Sequence, residues 1–144
     1  MKKSFYFFFI FIPAVILAGC SSGNSDSSFT LEKGDYKFIM TDSLKSKLAE
    51  GILTVKTISK DKFSGTYKFT KKHKDFSGLE VMNGEFSGEI NKAENKVFIN
   101  TNPRIADSNV FWNLKFTKSS LSGSWVHSVF RGTSSGGYVK ITSE

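Results

Sequence analysis

The chain has 144 residues, a formal net charge of +7 and a single cysteine, Cys20. This length suits one domain, since domains commonly contain roughly 100–200 residues. One thiol excludes an intramolecular disulfide framework and a cysteine-based zinc cluster, because both need several such side chains.

The first twenty residues have the layout of a secretory signal peptide, with a charged start, an apolar middle and small residues at the end. Two lysines precede an apolar run from Phe5 to Ala18. As a helix this run would reach roughly 21 Å, which is short of the ~30 Å hydrocarbon core of a bilayer. A signal peptide is therefore favoured over a membrane-spanning helix.

The run ends in Leu17-Ala18-Gly19-Cys20, which resembles the lipobox of bacterial lipoproteins. The resemblance implies diacylglycerol on the Cys20 sulfur, cleavage before Cys20 and a further acyl chain on its amino group. Two acyl chains anchor a protein stably, whereas a single chain binds only marginally. The following Ser21 is similar to an outer-membrane sorting signal, although a Gram-positive surface lipoprotein would carry the same box. We expect a lipid-anchored envelope protein, at the outer membrane rather than the inner membrane.

Cleavage before Cys20 would divide the chain into a signal peptide (1–19), an acylated flexible tether (20–30) and a folded domain (31–144). Residues 21–28 are small and polar, which is the composition of a flexible linker. Removal of residues 1–19 takes away two lysines and lowers the net charge to +5. The mature protein would therefore be only mildly basic.

Period-two alternation with aromatic and β-branched enrichment predicts β-strands throughout the domain. The first strand is expected at about 34–41. Leu44 and Leu48, four residues apart, would allow one or two helical turns within 42–48. The remaining strands are expected at about 51–59, 62–71, 79–90, 97–99, 110–116, 121–125 and 137–142.

Eight short strands joined mainly by tight turns predict an all-β fold. The favoured architecture is an eight-stranded antiparallel up-and-down barrel, with at most one short helix after the first strand. Closure of the barrel would remove the exposed edges of the sheet. A β-sandwich is the alternative.

A large apolar residue followed by Ser-Gly recurs four times, at Phe63, Phe76, Phe86 and Leu121. In a strand, the glycine two positions on faces the same side as the large residue. We expect the large side chain to seal the barrel, while the bare glycine allows the strand to bend. The motif is thus a folding device.

Three stretches share a further pattern: Gly34-Asp35-Tyr36, Phe63-Ser64-Gly65-Thr66-Tyr67, and Phe111-Trp112 through Leu121-Ser122-Gly123. The pattern resembles the lipocalin/avidin-like group of eight-stranded barrels over most of residues 34–142. The resemblance implies an interior ligand, and in avidins the residues matched by Tyr67 and Trp112 touch it. Tyr36 replaces the first tryptophan of the family, and the Asn and Gly-Ser ligand segment is absent. Biotin is therefore not the predicted ligand.

Alternation from Leu121 places Trp125 and His127 on the inward face of the seventh strand. A histidine there would orient a ligand inside an apolar barrel. Its alternative role is that of a polar residue at the wet mouth of the barrel or bonded to a neighbour. The predicted ligand-binding residues are Tyr67, Trp112, Trp125 and His127.

Catalysis, a bound metal and a cofactor are not predicted. The only thiol is expected to be acylated, and His73 and His127 are too few for a three-histidine zinc site. Binding of nucleic acid is not predicted either. Export would separate the protein from it, and the aromatic residues between lysines in the 67–74 segment alternate toward the core.

Two functions fit this sequence. In the first, the anchored barrel binds a small apolar or amphipathic ligand in its interior. In the alternative, a solid-core barrel is a protein-interaction or assembly module of the cell envelope, and binds its partner through loops such as Lys71–Lys74 and Asn102–Asn109. In both, the membrane is reached through the N-terminal acyl chains.

Overall fold

The computed structural model describes residues 29–74, 76 and 80–144, and its strands form one closed antiparallel barrel. The strands are β1 Gly34–Asp42, β2 Lys47–Ser59, β3 Lys62–Lys72, β4 Glu85–Asn91, β5 Lys96–Asn100, β6 Ser108–Phe116, β7 Ser120–Val129 and β8 Gly132–Ser143. Each strand pairs with the next in sequence, and β8 closes the barrel on β1. The predicted eight-stranded up-and-down barrel is confirmed, and the sandwich alternative is not formed. The predicted signal peptide, Cys20 and most of the predicted tether lie outside the described residues.

The segment after β1 is a tight turn, and no helix occurs in the described part of the chain. The Asp42 carboxylate accepts a hydrogen bond from the Ser46 N–H at 2.8 Å, and the Asp42 carbonyl accepts one from the Lys45 N–H at 3.1 Å. Lys45 has a left-handed φ of 66°. Asp42 therefore caps a hairpin turn. Strand β2 begins at Lys47, within the segment 42–48 for which one or two helical turns were predicted as possible.

The last hairpin is longer than predicted. Strands β7 and β8 are joined only by Phe130 and Arg131, and Gly132 has a positive φ of 121°. Pairing between β8 and β1 ends at Gly137, opposite Asp42. The part of β8 before Gly137 therefore extends beyond the end of β1.

Two Ser-Gly motifs interlock across β3 and β4. Phe63 lies opposite Gly88, and Phe86 lies opposite Gly65. A Cβ atom on Gly88 would lie 2.3 Å from the Phe63 ring, and one on Gly65 would lie 2.9 Å from the Phe86 ring. The two rings also contact each other, with centroids 5.7 Å apart. Each glycine thus provides the space that the ring of the other motif occupies.

The same arrangement places Phe38 of β1 at the centre of the barrel. Phe38 lies opposite Gly51, where a Cβ atom would come within 2.6 Å of the ring. The Phe38 ring then contacts Trp112, Phe69 and Tyr67 at centroid distances of 5.3, 5.7 and 6.4 Å. A central aromatic cluster therefore occupies the interior.

The two ends of the barrel differ in how they are covered. The N-terminal end carries the β2–β3, β4–β5 and β6–β7 turns together with the segment before β1, and the distal end carries the other four connections. At the N-terminal end, Phe29 and Leu31 are buried, and the Phe29 ring lies 5.8 Å from that of Tyr36. The Phe29 N–H donates to the Thr117 carbonyl at 3.4 Å. The segment before β1 thus covers this end.

Candidate functional site

Three of the four predicted ligand-binding residues are buried inside the barrel. Trp112, Trp125 and Tyr67 all belong to the core, and the two tryptophans are direct partners in the β6–β7 register. The Tyr67 hydroxyl donates to the Thr101 carbonyl at 3.2 Å, and Trp125 Nε1 donates to the Thr41 carbonyl at 2.8 Å. Trp112 Nε1 is buried without a hydrogen-bond partner among the described residues.

His127 lies apart from these three, at the distal mouth of the barrel. Its Nε2 atom is 3.0 Å from the Ser108 hydroxyl, and its Nδ1 atom is 2.8 Å from the Ser134 hydroxyl. The side chain is half-buried. His127 thus lies at the mouth of the barrel and is hydrogen-bonded to its neighbours, which is the alternative role considered from the sequence.

An asparagine network closes the distal end beneath the β5–β6 loop. Asn109 Nδ2 donates to the carbonyls of Asn102 and Ile105 at 2.7 and 2.9 Å. Asn83 Nδ2 donates to Asn102 Oδ1 at 2.6 Å, while Asn102 Nδ2 has no partner in the described part of the chain. Asn102 and Asn109 are both buried. These ends of the predicted partner loop therefore hold it in place, and 103–107 is its exposed part.

Burial changes the acidity of the interior phenol. Desolvation raises the pKa of Tyr67 to about 12. Burial disfavours the charged form of any acid, so the neutral phenol is strongly favoured in the fold. Tyr67 is therefore a hydrogen-bond donor at neutral pH.

Several pockets open on the described surface away from the predicted ligand residues. One of about 550 Å³ opens on the outer wall beside Ile39 and Tyr138, and one of about 390 Å³ opens at the N-terminal end. Five surface pockets, these two among them, have none of Tyr67, Trp112, Trp125 or His127 in their linings. The interior aromatic cluster contacts protein atoms on its sides and lies between two covered ends.

Three apolar side chains are exposed on the distal loops, and we call them the distal tips. They are Leu44, Ile105 and Phe130, which are 86%, 46% and 90% exposed. Each is next to a cationic residue in the sequence: Lys45, Arg104 and Arg131, respectively. Sequence reasoning did not single out the tips, because the burial of a loop residue depends on which other loops approach it.

The predicted lysine loop lies at the same distal end, but part of its charge is neutralised. Lys71 belongs to β3 and forms an ion pair with Glu50 at 3.2 Å, and Lys47 pairs with the same carboxylate at 2.8 Å. Hydrogen bonds from these two lysines lower the pKa of Glu50. Lys72 Nζ lies 5.8 Å from the centroid of the Phe69 ring. Both loops predicted to bind a partner are thus at one end of the barrel.

Comparisons with protein-family models, curated proteins and solved structures found no match for this chain. The class that the fold itself defines is a small, closed, eight-stranded antiparallel β-barrel. Among the described residues, no group of three or more histidine, cysteine or acidic side chains is placed to hold a metal ion. Nor does this part of the chain contain a helix long and apolar enough to cross a membrane.

Tyr67 should make stability fall at alkaline pH. Because its pKa is higher in the fold than the ordinary value near 10, its stabilising contribution is complete below pH 10 and is lost as the pH rises through about 12. Denaturant midpoints measured from pH 9 to 12 should decline less steeply for Tyr67→Phe than for the wild type. Tyr138→Phe, which alters a half-exposed tyrosine on the outer wall, is the matched control. Equal alkaline loss in wild type and Tyr67→Phe would contradict this role.

Proposed function

We propose that this chain is a lipid-anchored, non-enzymatic protein of the bacterial cell envelope, which binds a protein partner through the distal end of a solid barrel. The observation that supports this most is the contrast between the interior and the distal surface. The interior is occupied by aromatic side chains and covered at both ends, whereas Leu44, Ile105 and Phe130 are exposed. The membrane attachment is through acyl chains on Cys20, at the outer membrane in the favoured version of the proposal.

The direction of the chain favours this arrangement. Residue 29 lies at the N-terminal end of the barrel, so a membrane anchor upstream of it attaches at that end. The distal tips lie at the opposite end, which also carries the two longest connections, β3–β4 and β5–β6, and the projecting β7–β8 hairpin. An anchored barrel would therefore present its exposed apolar residues away from its own attachment point.

The chemistry of the tips suggests the kind of partner. Aromatic residues and arginine are enriched at protein interfaces, and they supply many of the residues that dominate binding energy. Phe130 and Arg131 form the turn of the projecting β7–β8 hairpin. Neither Arg131 nor Lys45 forms an ion pair with any described residue. A partner with an apolar patch beside acidic side chains would match both features.

A small apolar or amphipathic ligand in the interior is the second candidate function. Its support is the Trp112 Nε1–H group, which is buried without an acceptor among the described residues. Buried donors are nearly always hydrogen-bonded, so a ligand atom or a water molecule at this position would satisfy the indole. Trp112, Tyr67, Trp125 and His127 would contact such a ligand.

The anchor predicts a specific processing defect. Cys20→Ser removes the only thiol that could carry diacylglycerol, so the variant should accumulate as a precursor that retains residues 1–19. Radiolabelled palmitate should be incorporated into the wild type and not into this variant. Ser21→Ala changes the adjacent residue and should leave palmitate incorporation intact. Incorporation that persists in Cys20→Ser would refute the lipid anchor.

The partner site predicts selective loss of binding from the distal end. In cross-linked pull-downs from native envelopes, Phe130→Ser with Arg131→Glu should reduce capture of the partner by roughly 30-fold, the cost of losing one dominant interface residue. Tyr138→Ser with Lys140→Glu also replaces one aromatic and one cationic residue, on the outer wall of β8, and should capture the partner like the wild type.

Both double variants alter exposed side chains and should unfold at the same denaturant concentration as the wild type. Equal capture by the two variants, or no protein captured by the wild type, would argue against a distal partner site.

A further inference from the structure

The pocket at the N-terminal end has an apolar lining and a volume of about 390 Å³. This volume is within the ~300–1,000 Å³ range of small-molecule sites in proteins. The apolar lining consists of Phe29, Leu31, Ile58, Ile90 and Phe116. The first two are buried, and the other three are partly buried against the core. The pocket therefore offers a firm apolar surface that opens at the N-terminal end.

Two lysines, Lys60 and Lys92, also line the pocket, together with the neutral polar residues Thr30 and Asn95. The lining contains no acidic residue. Neither lysine forms an ion pair with a described residue. The lysines that directly follow these turns differ, since Lys62, the first residue of β3, pairs with Glu89 at 3.8 Å, and Lys96, the first residue of β5, pairs with Glu94. The unpaired positive charge of these turns is thus concentrated at the pocket.

Hydrogen bonds hold the two turns that carry these lysines in place. The Ile90 N–H donates to the Asp61 carbonyl at 2.7 Å, which ties the β2–β3 turn to β4. In the β4–β5 turn, the Asn95 N–H donates to the Lys92 carbonyl at 3.3 Å, while Asn95 Nδ2 donates to the Phe116 carbonyl at 3.2 Å. The backbone positions of both lysines are therefore set before any ligand binds.

The chain upstream of the pocket limits its distance from a membrane. Phe29, which lines the pocket, follows Cys20 by nine residues. Even fully extended at about 3.3–3.6 Å per residue, this segment spans roughly 30 Å. A lipid anchor at Cys20 therefore keeps the pocket within that distance of the bilayer surface.

We propose that this N-terminal pocket binds the headgroup of an anionic phospholipid in the bilayer that holds the anchor. Lys60 and Lys92 bind the phosphate, and Phe29 and Ile90 contact the glycerol and the upper part of the acyl chains. Lysine is a common phosphate ligand, and lysines near a membrane surface are attracted to anionic lipid. The inference rests on the proposed membrane anchor but is independent of the distal partner site.

Lysine footprinting of the full chain in nanodiscs locates the lipid contact. In discs containing phosphatidylglycerol, the footprinting reagent should modify Lys60 and Lys92 roughly fivefold more slowly than in pure phosphatidylcholine discs. Fivefold corresponds to the binding free energy that one lysine contributes at an anionic surface. Lys62 and Lys96, which directly follow the two turns, should change much less, and distal Lys45 should not change. Equal protection of the two pocket lysines and the two lysines that follow the turns, or protection of none of the four, would overturn the proposal.

Matched variants test whether the two lysines select the lipid. After extraction from equimolar phosphatidylglycerol and phosphatidylcholine, the full-length wild type should retain phosphatidylglycerol selectively, as measured by lipid mass spectrometry. Lys60→Gln with Lys92→Gln should lower this selectivity by about 25-fold, fivefold for each lysine. Lys62→Gln with Lys96→Gln removes the same charge from positions next to the same turns, and this variant should keep the selectivity for phosphatidylglycerol. Equal loss in the two variants would contradict a site at the pocket.

Two controls distinguish this proposal from binding of free phosphate and from the proposed lipid anchor. Protection of Lys60 and Lys92 by inorganic phosphate alone, on the detergent-solubilised chain, would overturn a bilayer lipid as the occupant. Co-purification of the chain with the nanodiscs reports the anchor itself. If the chain enters the discs but Lys60 and Lys92 show no lipid-dependent protection, the pocket proposal is refuted and the lipid anchor is not. If no lipidated chain is found in the discs, the anchor itself is refuted.

Discussion

The structure depends on aromatic rings packing over glycines of neighbouring strands. Phe63 covers Gly88 and Phe86 covers Gly65, while Phe38 covers Gly51 in the same way. A Cβ atom at any of these glycines would collide with the facing ring, and at Gly51 and Gly65 it would lie still closer to a backbone carbonyl oxygen of the neighbouring strand. Glycine weakens an isolated strand, but opposite a ring it allows close packing that a larger residue would prevent. Because rings from several strands meet inside, side chains of the barrel itself pack its interior. This packing is the basis for proposing that binding takes place on the outer surface and at the ends.

The two ends then have different chemistry. The N-terminal end combines an apolar pocket with Lys60 and Lys92, which suits an anionic, amphipathic surface. The distal end combines exposed apolar tips, of which Phe130 is the most exposed, with cationic neighbours on projecting loops. A chain anchored upstream of Phe29 would place the first end against its membrane and the second away from it. The rigid barrel between them would act as the spacer that fixes this orientation.

Local patterns in the sequence predicted the strands well, because alternation reports which side chains face a core. These patterns were less informative where a turn residue determines the local conformation, or where a distant strand determines how the interior is packed. Segment 42–48 allows helical turns by its spacing, yet the Asp42 carboxylate caps a hairpin there. Alternation placed Trp112 and Trp125 inside, but it cannot report whether other strands fill the space around them. The N-terminal pocket was not foreseen because its lining comes from separate turns that meet only in the closed barrel.

Protein side chains occupy the interior of this barrel, and we propose that binding takes place outside it. Bromine quenches tryptophan fluorescence only at close range, so a brominated fatty acid titrated onto the full chain tests this directly through Trp112 and Trp125. No saturable quenching is expected, since both indoles are buried within the aromatic core. Saturable quenching that disappears in Trp112→Phe would contradict it and would favour a ligand inside the barrel.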